Sequence, residues 1–497
     1  MELIFEKSVA GRQAVSLPSS DVPPVKLAEK YQRRQDLNLP QLSELDVVRH
    51  FTKLSQRNFC IDTHFYPLGS CTMKYNPRFT EKVAAFPEFA ELHPLLSQFP
   101  DGEKLTQGAL VVLYELEKWL SEMTGMEHFT LQPLAGAHGE LTGVMIMAAY
   151  HQAKGNKKKY IIVPDSAHGT NPATAAIAGY AIIAIPSNRK GMMDLDQLKA
   201  KLNDEVAGLM MTCPNTLGLF ESDIVEIAKM VHAVDGLMYY DGANLNAILG
   251  RCRPGDLGFD IMHLNTHKTF TTPHGGGGPG AGPVGVSKRL EKFLPISRVV
   301  KQKDGTVALD YNYPDTIGYI APFYGNFALL LRAYAYILLL GKEGLIQTSN
   351  HAVLNANYIM ECLKVFYTLP YDRRCMHECV FSAGQQAEKG VHAIDIAKFL
   401  IDQGIHPPTV YFPLTVKEAI MIEPTETESR QTLDIFIETM TNAAHLAQSQ
   451  PEIFHAFPKT MPIGRPDEVK AAKALDTNFF YAGKERQSPE HQSSGKK

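Results

Sequence analysis

A chain of 497 residues, 44% hydrophobic and 21% charged, is too long for one ordinary core and sits at the globular average. It points to about two to four domains, or one large domain with a satellite, and excludes disordered and fibrous classes. Lys and Arg number 49 against 53 Asp and Glu, a formal net charge of −4, which offers no electrostatic attraction to nucleic acid or an anionic membrane and favours a small or protein-borne substrate.

Acidic residues interrupt the only apolar run at the N-terminus, so no signal peptide is expected there. No run of about 18 apolar residues predicts a membrane helix. The seven cysteines are odd in number and irregularly spaced, which reads as reduced thiols and places the chain in the cytoplasm.

Residues 1–60 mix Pro, Ser and charge, as in Leu17-Pro-Ser-Ser-Asp-Val-Pro-Pro24, and read as an extended N-terminal arm followed by a short helical piece. Beyond Gly102, the residues Ala109, Val112, Leu113, Leu116, Trp119, Leu120 and Met123 recur at helical spacing, and Gly125 ends the run; this predicts an amphipathic helix. From about Leu131 to Val286, short β-rich runs over 160–163, 181–185, 209–212, 237–241 and 260–264 alternate with helical stretches. Such alternation implies right-handed crossovers and a largely parallel sheet covered on both faces. Residues 61–325 are therefore expected to form a large three-layer α/β domain. Helical segments over 327–340 and 344–366 lead into shorter strand and helix units, a smaller C-terminal α+β domain over 326–483. The polar stretch 484–497 reads as a disordered tail.

In open α/β sheets ligands bind beyond the carboxyl ends of the strands, and four such positions draw attention. Leu134-Ala-Gly-Ala-His-Gly139 is a small-residue turn running into a helical stretch. The backbone amides of Gly136, Ala137 and His138 there could receive a phosphate, although a plain strand-to-helix turn looks the same. In Ser166-Ala-His-Gly-Thr-Asn-Pro-Ala173, Asn171 and Pro172 read as a helix N-cap and first helical residue. That leaves His168 in the loop, either stacked on an aromatic ring or simply bonded to backbone. Asp241, in Tyr240-Asp-Gly-Ala-Asn244 with Ala243 beside it, closes an apolar strand, where a carboxylate is costly unless a cation or donor meets it. Lys268, in Leu264-Asn-Thr-His-Lys-Thr-Phe270 next to His267, closes another. A desolvated lysine amine is nucleophilic and suited to carrying a Schiff base.

Other patterns are less informative. Gly280-Ala-Gly-Pro-Val-Gly285 has dinucleotide-like glycine spacing but precedes a predicted strand instead of opening a helix, so that reading fails in its context. The run 275–282 reads as a flexible or closely packed loop, and Lys157–Lys159 as a solvated turn. Cys375, His377 and Cys379 form the tightest group of thiols and imidazole; nothing nearby supplies a fourth ligand, so no metal is expected.

With Asp62-Thr-His-Phe-Tyr-Pro-Leu-Gly-Ser-Cys-Thr-Met-Lys74 added to the strings around His168, Asp241 and Lys268, the chain resembles the P-protein family of the glycine cleavage system, glycine dehydrogenase (decarboxylating). The resemblance runs from about residue 3 to beyond 440, and the length is similar to the separate second subunit of the split form. It implies a fold-type I, aminotransferase-like enzyme of pyridoxal 5'-phosphate. Lys268 would be the catalytic lysine, with His168, Asp241, Gly136, Ala137, His138, Ala243 and His267 around the cofactor, and Ser70, Cys71 and Thr72 in a loop that closes over substrate. The expected substrate is glycine. The expected partners are a lipoyl-bearing H-protein, which receives the aminomethyl group, and a homologous first subunit in a two-plus-two heterotetramer. Where many fused members read Ser-Gly-Ala-Gln, this chain has Ala135-Gly-Ala-His138, which leaves backbone donors, with His138, to meet phosphate. Two other readings stay open on residues alone: another reaction on the same cofactor, such as transamination or desulfuration, and a non-catalytic binding subunit.

Overall fold

The computed structural model describes residues 2–35, 37–274 and 280–475; the expected tail 484–497 and part of the glycine-rich run lie outside them. By contact the chain divides into two units, Ile61–Phe457 and a second made of Met1–Cys60 with the segment from Pro458 onward.

The first unit is built on a seven-stranded sheet, ordered β1-β7-β6-β5-β4-β2-β3. Its strands are β1 (His128–Thr130), β2 (Tyr160–Pro164), β3 (Ala181–Ile185), β4 (Val206–Thr212), β5 (Leu237–Gly242), β6 (Ile261–Leu264) and β7 (Val284–Val286). β3, β2, β4, β5 and β6 run parallel, while β7 lies antiparallel to both β6 and β1. Side chains alternate strictly between the faces: Ile161, Met210, Tyr239 and Ile261 join one buried cluster, and Ile162, Leu209, Tyr240 and Met262 join another. Apolar residues on both faces are what a sheet covered by helices on each side requires, and the result is a three-layer α/β arrangement. Helix Gly136–Ala153 covers the first face. Helix Gln107–Thr124 packs in the cluster on the second, and stops where Gly125 takes φ 73°.

A hairpin of β8 (Arg298–Lys301) and β9 (Val307–Asp310) follows. The two helical segments expected after residue 325 are present within Phe327–Leu363, separated by a break at Gly341 (φ 60°, ψ −171°). Beyond it β10 (Cys379–Ser382), β11 (Thr409–Val410) and β12 (Ala419–Ile422) form an antiparallel sheet ordered β10-β12-β11. Helices Ala393–Asp402 and Arg430–Ser449 pack on it through Phe399, Phe436 and Met440.

One local expectation is corrected. The helix after β2 runs Thr170–Ile177 with Gly169 preceding it, so Asn171 lies inside the first turn and is not its cap. The side chain of Asn171 is instead fully buried, and its amide donates 3.0 Å bonds to Glu140 and to Asp241. Two buried acceptors outcompete the backbone for that donor.

Candidate active site

β5 and β6 are neighbours in parallel register, with Asp241 directly beside His263. Both side chains are buried, and His263 Nε2 lies 3.2 Å from Asp241 Oδ1. The Ala243 amide donates to the same oxygen at 3.0 Å, and Asn171 donates to the other. Burial opposes a charge on Asp241, but the facing His263, with Asn171 and Lys268, holds the carboxyl well below the usual carboxylate range. Burial likewise works against protonation of His263, and Asp241 reverses it, raising the imidazole. His263 Nδ1 is 3.0 Å from the Tyr239 hydroxyl, which fixes the ring. Glu140 completes the group; burial and the nearby Asp241 raise its carboxyl. The outcome is a preorganised anion at the end of β5.

Lys268 lies on the short turn Thr266–Thr269 immediately after β6. Its Nζ donates to the Ser70 carbonyl at 2.8 Å. Beside it, burial, with His274 and the Lys268 amine nearby, pushes His267 down to about 3; the His267 and His274 rings lie 5.0 Å apart, edge to face. His274 Nε2 is 2.8 Å from the Cys71 carbonyl. The loop Ser70–Thr72 therefore sits on the lysine, a placement no residue pattern indicated. Lys74 secures the same region: it is fully buried, donates to the Thr269 carbonyl at 2.9 Å and pairs with Glu426 at 2.6 Å.

At the amino end of helix Gly136–Ala153, Ala135 is extended and no side chain caps the helix. Ala135 and Ala137 are exposed beside this first turn, whose amides have no partner within the helix and which carries the positive end of the helix dipole. His138 Nδ1 accepts from the Leu134 amide at 3.2 Å, which directs its ring back onto the turn. Gly136 and Gly139 allow close packing: a Cβ would stand 1.7 Å from Asn265 Oδ1 at the first and 2.4 Å from the Gly282 carbonyl at the second. His168 is exposed in the loop after β2, near Thr170 and edge-on to Phe412 at 5.7 Å between ring centres.

Of the residues expected from sequence, Lys268, Asp241, Ala243, His267, Ser70, Cys71 and Thr72 thus gather at the carboxyl ends of β5 and β6, while His168 and Gly136–His138 line neighbouring loops. Glu140, Asn171 and His263 were not anticipated. Cys375 and Cys379 are both buried, and His377 turns instead toward Glu378 and Glu423.

The family model for the glycine cleavage system P-protein matches residues 14–311, and that for the C-terminal domain of glycine dehydrogenase matches 348–452. The chain belongs to the glycine cleavage system P-protein family, the glycine dehydrogenases (decarboxylating). Probable glycine dehydrogenase (decarboxylating) subunit 2 of Caldanaerobacter subterraneus subsp. tengcongensis is 56% identical over 95% of this chain and 97% of that one. The protein of the same description from Listeria welshimeri is 55% identical, with the same shares covered. Among solved structures, an inhibitor-bound glycine decarboxylase (P-protein) superposes with a TM-score of 0.69 at 20% identity, covering 83% of this chain and 92% of that one. Glutamate decarboxylase of Lactobacillus brevis superposes with a TM-score of 0.63 at 13% identity, covering 90% and 98%. The fold is that of the fold-type I pyridoxal phosphate enzymes.

Proposed function

We propose that this chain is the cofactor-bearing subunit of a P-protein. It would decarboxylate glycine on pyridoxal 5'-phosphate held at Lys268 and pass the aminomethyl group to the lipoyl arm of an H-protein. The residues present fit that cofactor. A helix end with no side-chain cap at Gly136–His138 suits its phosphate. A buried anion, Asp241, suits a protonated ring nitrogen, and Lys268, beside it, suits its aldehyde. His168 and Ala243 would bound its ring. When bound, the cofactor supplies an electron sink for the pair left behind as carbon dioxide departs.

The protein's own residues do the rest. Asp241, kept ionised by His263, would hold a proton at the ring nitrogen. The Ser70 carbonyl orients the Lys268 amine, and Lys74 is anchored on the Thr269 carbonyl beside it. The subunit 2 description of the relatives supports assembly with a homologous first subunit, in a two-plus-two heterotetramer. The odd number and irregular spacing of the seven cysteines support a reducing compartment, the cytoplasm. Among the described residues no helix is long and apolar enough to cross a membrane.

The observation that carries this reading is the Asp241–His263 pair set beside Lys268. Borohydride reduction of the protein with added cofactor, followed by peptide mass spectrometry, is expected to place the cofactor mass on Lys268. Release of carbon dioxide from glycine with a lipoylated carrier then separates this reaction from transamination and desulfuration. Label on another lysine, or no glycine-dependent release, would overturn it.

A further inference from the structure

Two buried glutamate side chains outside the cofactor site proper converge on the loop that touches Lys268. β10 and β12 pair with Cys379 opposite Ile422, so Glu378 and Glu423, one residue beyond that pair on each strand, are carried to the same end of the small sheet. Leu68 bridges to Ile422, and the Glu423 amide donates to the Pro67 carbonyl at 3.2 Å. The following loop is thereby brought to that end. Gly69 leaves no room for a side chain, since a Cβ would stand 2.2 Å from Met421 Cγ.

Ser70 (φ 65°) and Thr72 (φ 52°) are left-handed, a conformation non-glycine residues keep only where their surroundings hold them. The two side chains supply the hold; burial and the nearby Glu423 push the Glu378 carboxyl well up, and it serves as an acceptor. Glu378 Oε2 accepts from the Ser70 amide at 2.8 Å. Glu423 accepts from the Thr72 amide at 2.9 Å, the Thr72 hydroxyl at 2.6 Å and the Asn246 amide at 3.3 Å. Three donors converging on one side chain are the pattern of an ionised carboxylate. Between the two tethered amides, the Ser70 carbonyl meets Lys268 Nζ. His377 Nε2 stands 3.8 Å from Glu378 and 4.0 Å from Glu423, and both its ring nitrogens and Glu378 Oε1 are buried without a partner. Such burial is costly for groups that only fill space.

We propose that Glu423 and Glu378 are positioning residues: through the backbone of Ser70–Thr72 they hold the Ser70 carbonyl against Lys268, and Glu423 keeps negative charge near the amine that carries the cofactor. The inference rests on the reading of Lys268 given above. Other charged or titratable groups face the same amine: Asp241 and His263 from the strand ends, His267 on its own turn, His274 from the segment after it and Cys71 from the loop. All are unchanged in the variants below.

The test uses the full chain assembled with its partner subunit. The absorbance of the lysine-bound cofactor is titrated against pH in wild type, Glu423→Gln and Glu423→Asp, without glycine. Losing a negative charge disfavours the protonated form, so the midpoint in Glu423→Gln is expected to move down by about half a unit or more, while Glu423→Asp, which keeps the charge, stays close to wild type. An unmoved midpoint in Glu423→Gln, or equal shifts in both variants, would overturn the inference and leave the cofactor reading intact. A wild-type chain that forms no such band would take both down. Should Glu423→Gln fail to assemble, Thr72→Val removes the hydroxyl donor alone; capture of added cofactor is then expected to slow by about threefold or more, and capture at the wild-type rate counts against the proposal.

Discussion

Replacing Lys268 by alanine removes an amine whose hydrogen bond goes to a loop carbonyl, not into an apolar core. The variant is therefore expected to keep its circular dichroism and assembly while losing glycine decarboxylation; retained turnover above trace would move the catalytic assignment elsewhere. Asp241→Asn replaces the anion that His263 and Asn171 were built to hold, and is expected to cost about 2–4 kcal/mol in the chemical step, the scale of a lost preorganised electrostatic group. Equal kcat in wild type and variant would remove Asp241 from the mechanism. His267 gives a pH dependence of stability. Burial, with His274 and the Lys268 amine nearby, holds it at about 3 in the folded chain, whereas an unfolded histidine titrates near about 6.5. Below that value the unfolded state binds the extra proton, so this contribution is complete above about pH 6.5 and is lost progressively as pH falls toward 3. Thermal unfolding of cofactor-free His267→Gln at pH 7 and pH 5 is expected to show a smaller loss than wild type; an equal loss would contradict the assignment. Lys268 and Asp241 were legible in the sequence because a charged residue closing an apolar strand stands out in one dimension. His263 did not stand out, since its role depends on lying beside Asp241 across two strands paired in register. Glu423 could have been found, because it closes the apolar strand Ala419–Ile422 in the same way that Asp241 closes β5.

At the scale of elements, the five strands of the parallel core were readable from their apolar runs, and their alternation with helices predicted the three layers. β1 is only three residues long and pairs antiparallel with β7 at the sheet's edge, too short for periodicity to register. The helix after β2 was misread at its start because Asn-Pro is a strong capping signal locally, while the pull of Glu140 and Asp241 on the Asn171 amide is tertiary. Gly341 offers an element-scale test. Its φ of 60° with ψ of −171° breaks the long helix, and a Cβ there would meet nothing within 4 Å. Gly341→Ala is therefore expected to destabilise through backbone strain alone, by about 1–3 kcal/mol. A urea midpoint unchanged or raised would mean that the helix simply straightens, and that the break does not hold the two halves in place.

At the scale of the whole molecule, the apolar residues of the N-terminal unit need a partner surface. Leu17 and Val25 are each 85% exposed, and Val15 and Val22 are also open to solvent. Residues 8–11 are secured to Gln41 by backbone and side-chain bonds, so the exposed apolar stretch begins from a fixed point. Helix Glu44–Ser55 is capped by Ser43 and presents Leu45, Val48, Phe51 and Leu54 outward at helical spacing. A prolonged apolar strip of this kind, interrupted by prolines that favour extended backbone, is poorly suited to water and well suited to lying along another chain. The occupant we propose is the first subunit that the relatives' subunit 2 description implies. Deleting residues 1–25 is expected to lower recovery of the first subunit in co-purification while the lysine-bound cofactor band still forms, because Lys268, Asp241 and the loop Ser70–Thr72 all belong to the unit Ile61–Phe457. Loss of the band at full recovery would tie the arm to the cofactor site instead. Equal recovery of truncated and full-length chains at equal salt would assign the exposed strip to some contact other than this one.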